Sequence, residues 1–307
     1  MVGPTGPVTF ATEPVIRTDG LIKHYGSVEA VRGIDLDVRP GEVFGFVGPN
    51  GAGKSTTIRC LLDLIRPTAG RIQVFGLDPR EDGVRVRGRI GYVPGELRLP
   101  DRMTSGQFLA SISKLRGGVD AARRDAIVER LSIDLDRKMR DLSSGNRRKV
   151  ALLVAFSARS DLLILDEPTS GLDPLMQHEF LGMVKEARAE GTTVFLSSHV
   201  LSEIQRASDR VAVLRAGQIV ALGTVDELRG RARQRIEVWF EDDAPVEECL
   251  SIPGVVDPMI DGRRLEATLS GAVQPLLDVL SRHAVVSVVI EEPNLEDAFL
   301  ELYAEPS

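Results

Sequence analysis

Cysteine is nearly absent: Cys60 and Cys249 are the only two in 307 residues. They stand too far apart for a metal knuckle, and the plain reading is a pair of reduced thiols in the cytoplasm. Long apolar runs are missing as well. None reaches the roughly 18 residues that span a bilayer, so any membrane role must pass through a partner. The first dozen residues carry neither a basic start nor an apolar core, which argues against a secretory signal and suggests a loose tail over 1–13. No long basic block occurs either: 38 Lys plus Arg face 45 Asp plus Glu, a net charge of −7. That balance disfavours a dedicated nucleic-acid binder, because phosphate contacts dominate such affinity. Histidine is scarce, and His24, His178 and His283 stand in no pattern that assigns them chemistry.

What is present is ordinary for a globular chain, 43% hydrophobic and 27% charged, and long enough for an α/β core with an accessory domain. The most informative stretch begins at Val43. Five apolar-rich residues of strand character lead into Gly48, Pro49, Asn50, Gly51, Ala52 and Gly53, after which residues 54–65 have helical apolar spacing. Strand, glycine turn and helix is the context of a phosphate loop. The glycines let backbone N–H groups approach an anion, and the helix N-terminus adds about half a positive charge. Lys54 can then reach terminal phosphates, Ser55 can ligate Mg²⁺, and Thr56 stands against the α-phosphate.

Upstream, residues 15–47 alternate apolar and polar positions as a half-buried antiparallel sheet does. Tyr25 lies there, either as a surface strand residue or as a ring able to stack on a purine. Short strands are expected at 71–75 and 90–93. Between 103 and 156 the strand signal gives way to helices at 104–115, 121–131 and 144–156. The apolar run 162–165 then ends in Asp166 and Glu167, as a central parallel strand opening on a ligand crevice would. Asp166 can bind Mg²⁺ directly or through water. Glu167, expected to point elsewhere by strand alternation, can polarise an attacking water. A second buried strand at 193–197 leads to His199, whose imidazole can hydrogen-bond a γ-phosphate. A hairpin crosses Ala216 and Gly217, and Thr224 with Glu227 reads as a capping box. Past a linker at 229–235, the order strand, helix, two strands, helix, strand is compatible with a small ferredoxin-like domain. A last helix is expected over 295–303.

Taken together, these residues resemble the ATP-binding-cassette family of transport ATPases over about 15–230. The resemblance makes Tyr25 the adenine-stacking aromatic, Gly48 to Thr56 the Walker A loop, and residues 162–167 Walker B. Leu142, Ser143, Ser144, Gly145 and Asn146 match the signature, residues 170–173 ending at Asp173 the D-loop, and His199 the switch histidine. It implies a P-loop NTPase cassette: a RecA-like parallel core, an antiparallel β subdomain and an inserted helical subdomain at about 96–158. The cassette would fill 14–230, with the α+β accessory domain at 231–307. ATP and Mg²⁺ are implied, with Lys54, Glu167 and His199 as catalytic groups and Ser143, Gly145 and Asp173 contacting nucleotide. Two cassettes would meet head to tail, the signature of one over the phosphate loop of the other. The stroke would go to a separate transmembrane permease, which would hold the protein at the inner face of the cell membrane.

Two departures stand out. The signature has Ser144 and Asn146 where glycine and glutamine are usual. Gly95 stands where the family's Q-loop has glutamine, so either Glu96 takes over part of that work, with a place on Mg²⁺, or backbone and neighbours carry the coupling. Residues 291–303 look like the ending of bacterial drug- and antibiotic-export ATPases, which implies export. An importer or regulatory cassette, and a cytosolic ATPase acting on ribosomes or DNA, are the alternatives.

Overall fold

In the computed structural model, which describes residues 13–116, 118–229 and 234–291, the chain divides into two compact units, Met1–Leu222 and Gly223–Ser307. The division lies inside the last strand of the first sheet system, earlier than the expected border at 230.

The first unit opens with β1 (Ile16–Tyr25) and β2 (Val28–Val38), paired antiparallel from Ile16↔Val38 to Tyr25↔Val28. Alternate residues of β2 are buried near its end, as a sheet with one face on a core requires. β3 (Val43–Val47) is buried at every position and runs into α1 (Lys54–Leu61). β4 (Ala69–Val74) adds to the other side of β1, giving a three-stranded sheet ordered β2-β1-β4. A short α2 (Gly83–Gly88) precedes β5 (Ile90–Val93).

The helical stretch follows. Thr104 and Gln107 form a reciprocal capping box opening α3 (Ser105–Leu115), and Asp120 caps α4 (Ala121–Arg130). After a 3₁₀ turn at Met139–Asp141, Ser143 caps α5 (Ser144–Ser157). β6 (Leu162–Asp166) is again wholly buried. Residues 174–189 carry no expected element, yet they form α6 (Pro174–Ala189), with Asp173 as N-cap and proline in the first turn. β7 (Thr193–Ser198), α7 (Leu201–Ala207), β8 (Arg210–Arg215) and β9 (Gln218–Thr224) complete the six-stranded sheet, ordered β5-β6-β7-β3-β8-β9. β5/β6, β6/β7, β7/β3 and β3/β8 are parallel. Phe195 packs between Phe44 and Phe46, with ring centroids 5.8 and 5.1 Å away, and all three are fully buried. Burying each such ring contributes roughly 2–3 kcal/mol.

The second unit starts with the capping box: Glu227 N–H donates to Thr224 Oγ1 at 3.1 Å, and Thr224 N–H to Glu227 Oε2 at 2.8 Å, opening α8 (Val225–Arg229). Beyond it come β10 (Gln234–Phe240), α9 (Val246–Leu250), β11 (Val255–Asp261), β12 (Arg264–Leu269), α10 (Gln274–Leu280) and β13 (Val285–Glu291). Their sheet is ordered β11-β12-β10-β13, with β10/β12, β10/β13 and β11/β12 all antiparallel, the arrangement of a split βαβ unit. Ile236, Val238, Phe240, Leu265 and Leu276 form its core. The helix expected over 295–303 lies outside the described residues.

Candidate active site

The parallel sheet delivers its polar residues to one edge. β3, β6 and β7 lie side by side in register, Val47 opposite Ser198 and Asp166 opposite Ser197. The chain therefore leaves β3 at Gly48, β6 at Glu167 and β7 at His199, all at the carboxyl ends of the strands, where ligands of open α/β sheets bind.

Two glycines explain the loop after β3. A Cβ on Gly48 would stand 2.4 Å from the Leu214 carbonyl oxygen, so only glycine lets β8 pass so close. Gly53, the N-cap of α1, has φ of 107°, which L side chains rarely adopt. Gly217 in the β8–β9 turn donates its N–H to Ala52 O at 3.0 Å and seats the loop from above. Pro49, Asn50 and Gly51 are exposed, while Ser55 and Thr56 are half-buried in the first turn of α1.

Lys54 is 5% exposed. Its Nζ donates to Gly48 O at 2.6 Å and stands 3.1 Å from Glu167 Oε1. The other Glu167 oxygen lies 2.6 Å from His199 Nδ1. Lysine, glutamate and histidine, 145 positions apart at the extremes of the chain segment, thus form one contiguous array. Glu167 reaches it because β6 stops at Asp166 and the next residue turns left-handed, with φ of 49°. The expected strand alternation does not operate there. Asp166, 2% exposed, accepts the Ser197 hydroxyl at Oδ1, 2.6 Å away. Tyr92 stands nearby: burial, with the Asp166 carboxylate adding to it, pushes its phenol up to about 12.

The oxygen set suits a hard divalent cation. Asp166 keeps Oδ2 free of the Ser197 bond, and Ser55 offers a hydroxyl at the start of α1. Among the described residues no group of three or more His, Cys, Asp or Glu side chains could hold a metal by itself. Such an ion would therefore lean on these two residues and on phosphate oxygens. Glu96 is exposed and pairs with Arg98 at 3.1 Å. Solvent and a neighbouring guanidinium satisfy its carboxylate where it stands.

The remaining expected residues divide. Tyr25 is 46% exposed at the β1–β2 turn, its ring 5.1 Å from Lys23 Nζ. Ala30, on the same end of that hairpin, has its carbonyl against Gly53, since a Cβ on Gly53 would meet it at 2.5 Å. Ser143 caps α5, its Oγ accepting from Asn146 N–H at 3.3 Å. Gly145 abuts the D-loop backbone: a Cβ there would lie 2.7 Å from Gly171 O. Asp173 accepts the Met176 N–H at 3.0 Å, so its carboxylate is engaged as a helix cap.

Three further polar groups beside these residues go unmentioned in the sequence pattern. Ser197 holds Asp166. Glu203, 7% exposed on α7, accepts the hydroxyls of Thr169 at 2.8 Å and Ser198 at 2.9 Å, joining the segments after Glu167 and before His199. Arg148 on α5 is 6% exposed and donates to the carbonyls of Pro94 and Gly95. The only available signal is that Arg148 shares the buried helical face of Leu152 and Ala155.

Comparison with known proteins identifies the family. Residues 31–170 match the family model described as ABC transporter. The chain is similar to the daunorubicin resistance ATP-binding protein DrrA3 of Streptomyces coeruleorubidus, 35% identical with 94% of this chain and 96% of the relative covered. It is also similar to the bacitracin transport ATP-binding protein BcrA of Enterococcus faecalis, at 32% identity and 94% and 96% coverage. Among solved structures, an ATP-binding subunit of an ABC transporter superposes with a TM-score of 0.65 at 28% identity, covering 70% of this chain and 92% of that one. A dimeric bacterial ABC transporter cassette, at 22% identity and a TM-score of 0.62, shares the fold over 68% of this chain and 98% of that one.

Proposed function

The chain belongs to the ATP-binding subunits of the ABC transporters, and on that premise we propose that it hydrolyses ATP to drive export of drugs or antibiotics through a separate membrane permease. The array of Lys54, Glu167 and His199 carries the hydrolytic part of this reading. Names of relatives that confer daunorubicin resistance, transport bacitracin or export Nod factor support the direction of transport. Among the described residues no helix is long and apolar enough to cross a membrane, which is why a permease subunit enters the proposal.

In this reading the loop from Gly48 to Thr56 wraps the phosphates with backbone N–H groups, and Lys54 exchanges Glu167 for phosphate oxygen. Glu167, released on that side, takes a proton from the water that attacks the γ-phosphorus in line, and the bond to the β–γ bridging oxygen breaks. His199 turns Nδ1 to Glu167, which leaves Nε2 as the ring atom for the γ-phosphate. Ser55 and Asp166 would hold Mg²⁺, whose contribution is to neutralise charge on the phosphate oxygens. Tyr25 stacks on adenine. Ser143 and Gly145 of a second copy, docked head to tail, complete the site, and Asp173 positions that junction through α6.

Glu167→Gln tests the chemistry. The variant should keep ATP binding and lose turnover by roughly 10²-fold, the scale of a general base. Unchanged turnover would remove Glu167 from the role. For the direction, the chain reconstituted in vesicles with its permease should move drug out of the compartment that holds ATP, and uptake into that compartment would favour an importer.

A further inference from the structure

We propose that Arg148 is a positioning residue that ties the helix carrying the Ser143 cap to the loop beside Asp166, so that displacement of α5 is felt at the Mg²⁺-side carboxylate. The inference rests on the ATPase reading above and adds to it a route by which the helical segment controls the site.

The geometry is specific. Arg148 Nη1 donates to Pro94 O at 2.7 Å and its Nη2 to Gly95 O at 2.8 Å. One guanidinium fork thus grips two successive carbonyls, a match that a lysine point charge does not reproduce. The gripped loop follows β5, which among the described residues is an edge strand bonded to β6 alone and so has sheet support on one side. Position 95 has no side chain of its own with which to reach the site. A Cβ there would stand 3.0 Å from Asp166 Oδ2 and 3.2 Å from its Cγ. The Gly95 backbone therefore lies directly against the carboxylate, and whatever shifts that backbone shifts the surroundings of Asp166.

At its other end the link is a rigid helix. Ser143 and Arg148 are five positions apart on α5, about 7–8 Å along the axis at 1.5 Å per residue. A helix that moves as a body carries cap and guanidinium together. Burial lowers the pKa of Arg148, and the carboxylates of Asp166 and Glu167 oppose that shift, so the cation also senses both acids. A guanidinium stays charged throughout. A nearly buried cation hydrogen-bonded, among the described residues, to two backbone carbonyls would be a poor device for stability alone, since desolvation offsets much of its hydrogen bonding.

The test uses the full chain, with ATPase rate measured against ATP concentration and ATP affinity measured by calorimetry. The parent's turnover comes first: if the parent hydrolyses no ATP, it is the ATPase reading that fails. Arg148→Met keeps the stem and removes the fork. It should bind ATP within about three-fold of the parent while kcat falls roughly 10-fold, and Arg148→Lys should recover part of that loss. In a Ser143→Ala background, Arg148→Met should cost less than about three-fold more, because both changes break one linkage, whereas a merely structural role gives independent effects that multiply. A kcat within two-fold of the parent's, or multiplying effects in the double variant, would overturn the proposal. Should Arg148→Met fail to fold, Arg148→Lys decides, and an unchanged kcat in it overturns the proposal equally.

Discussion

Glu203→Ala is the sharpest test of how the site is held. The carboxylate is 7% exposed, and its Oε2 alone accepts two hydroxyls, Thr169 at 2.8 Å and Ser198 at 2.9 Å. Hydrogen bonds to a charged acceptor contribute roughly 1.5–3 kcal/mol each, so the pair amounts to about 3–6 kcal/mol. Removing the acid also removes a buried charge whose desolvation opposes folding, which brings the expected net loss to about 2–4 kcal/mol. For a unit of this size, each 1 kcal/mol moves the melting temperature by roughly 2–4 °C, so a fall of about 4–16 °C is expected. Glu203→Gln keeps an amide oxygen for both hydroxyls and should lose less than about 1.5 kcal/mol.

The assay is thermal unfolding followed by far-ultraviolet circular dichroism. The chain's one tryptophan, Trp239, lies in the second unit and reports on that unit rather than on the first. Turnover should fall along with stability in the alanine variant, since Thr169 follows Glu167 and Ser198 precedes His199. Equal melting of the alanine and glutamine variants, or an alanine variant within about 1 °C of the parent, would refute the account, because a buried two-hydroxyl acceptor cannot be removed at no cost.

Lys54→Ala should weaken ATP binding, as the buried ammonium is the one charged group the phosphate loop itself supplies, and equal affinities by calorimetry would count against it. Both cysteines are buried, and burial pushes the Cys60 thiol up to about 11. Neither thiol should react with a disulfide reagent at pH 8 until denaturant is added, and prompt native labelling would contradict their placement. The same shift has a sign for stability. The folded chain holds the Cys60 proton more tightly than the unfolded one, so this contribution is complete below about pH 9 and is lost as pH rises towards 11. Denaturant midpoints across that window, compared with Cys60→Ala, check it.

Much of this was legible in the residues. The loop from Gly48 to Lys54 announces itself because a left-handed N-cap and a close backbone approach each demand glycine at one position. Strand β5 and the start of α5 fall where apolar spacing places them. Helix α6 was not expected, although it carries a cap, a first-turn proline and apolar residues at Met176, Phe180, Met183, Val184 and Ala187, a 3.6-residue period. The roles of Asp173 and Glu203 were not legible. A D-loop aspartate and a helix cap look alike in one sequence, and a glutamate on a seven-residue helix looks solvated until its hydroxyl partners, 5 and 34 positions away, are brought to it. Glu96 follows Gly95 in sequence, and what the fold adds is that its carboxylate pairs with Arg98.

The edge that carries Asp166 and Glu167 owes its geometry to strand register. Asp166 meets Ser197 because β6 and β7 pair Leu162 with Thr193 and every following residue in step. Ser197 then fixes Asp166, and its carbonyl accepts the Glu167 N–H at 3.1 Å. Ser198, one residue on and facing the other way, reaches Glu203 instead. A slip of one residue would exchange those faces, leaving Asp166 without its hydroxyl and Glu203 with a single donor. What forbids the slip is Phe195, locked between Phe44 and Phe46 in the core two residues before Ser197. The aromatic packing under the sheet therefore sets which hydroxyl serves which acid, and a core change such as Phe195→Ala should disturb the acidic residues at the edge as well as the stability of the unit beneath them.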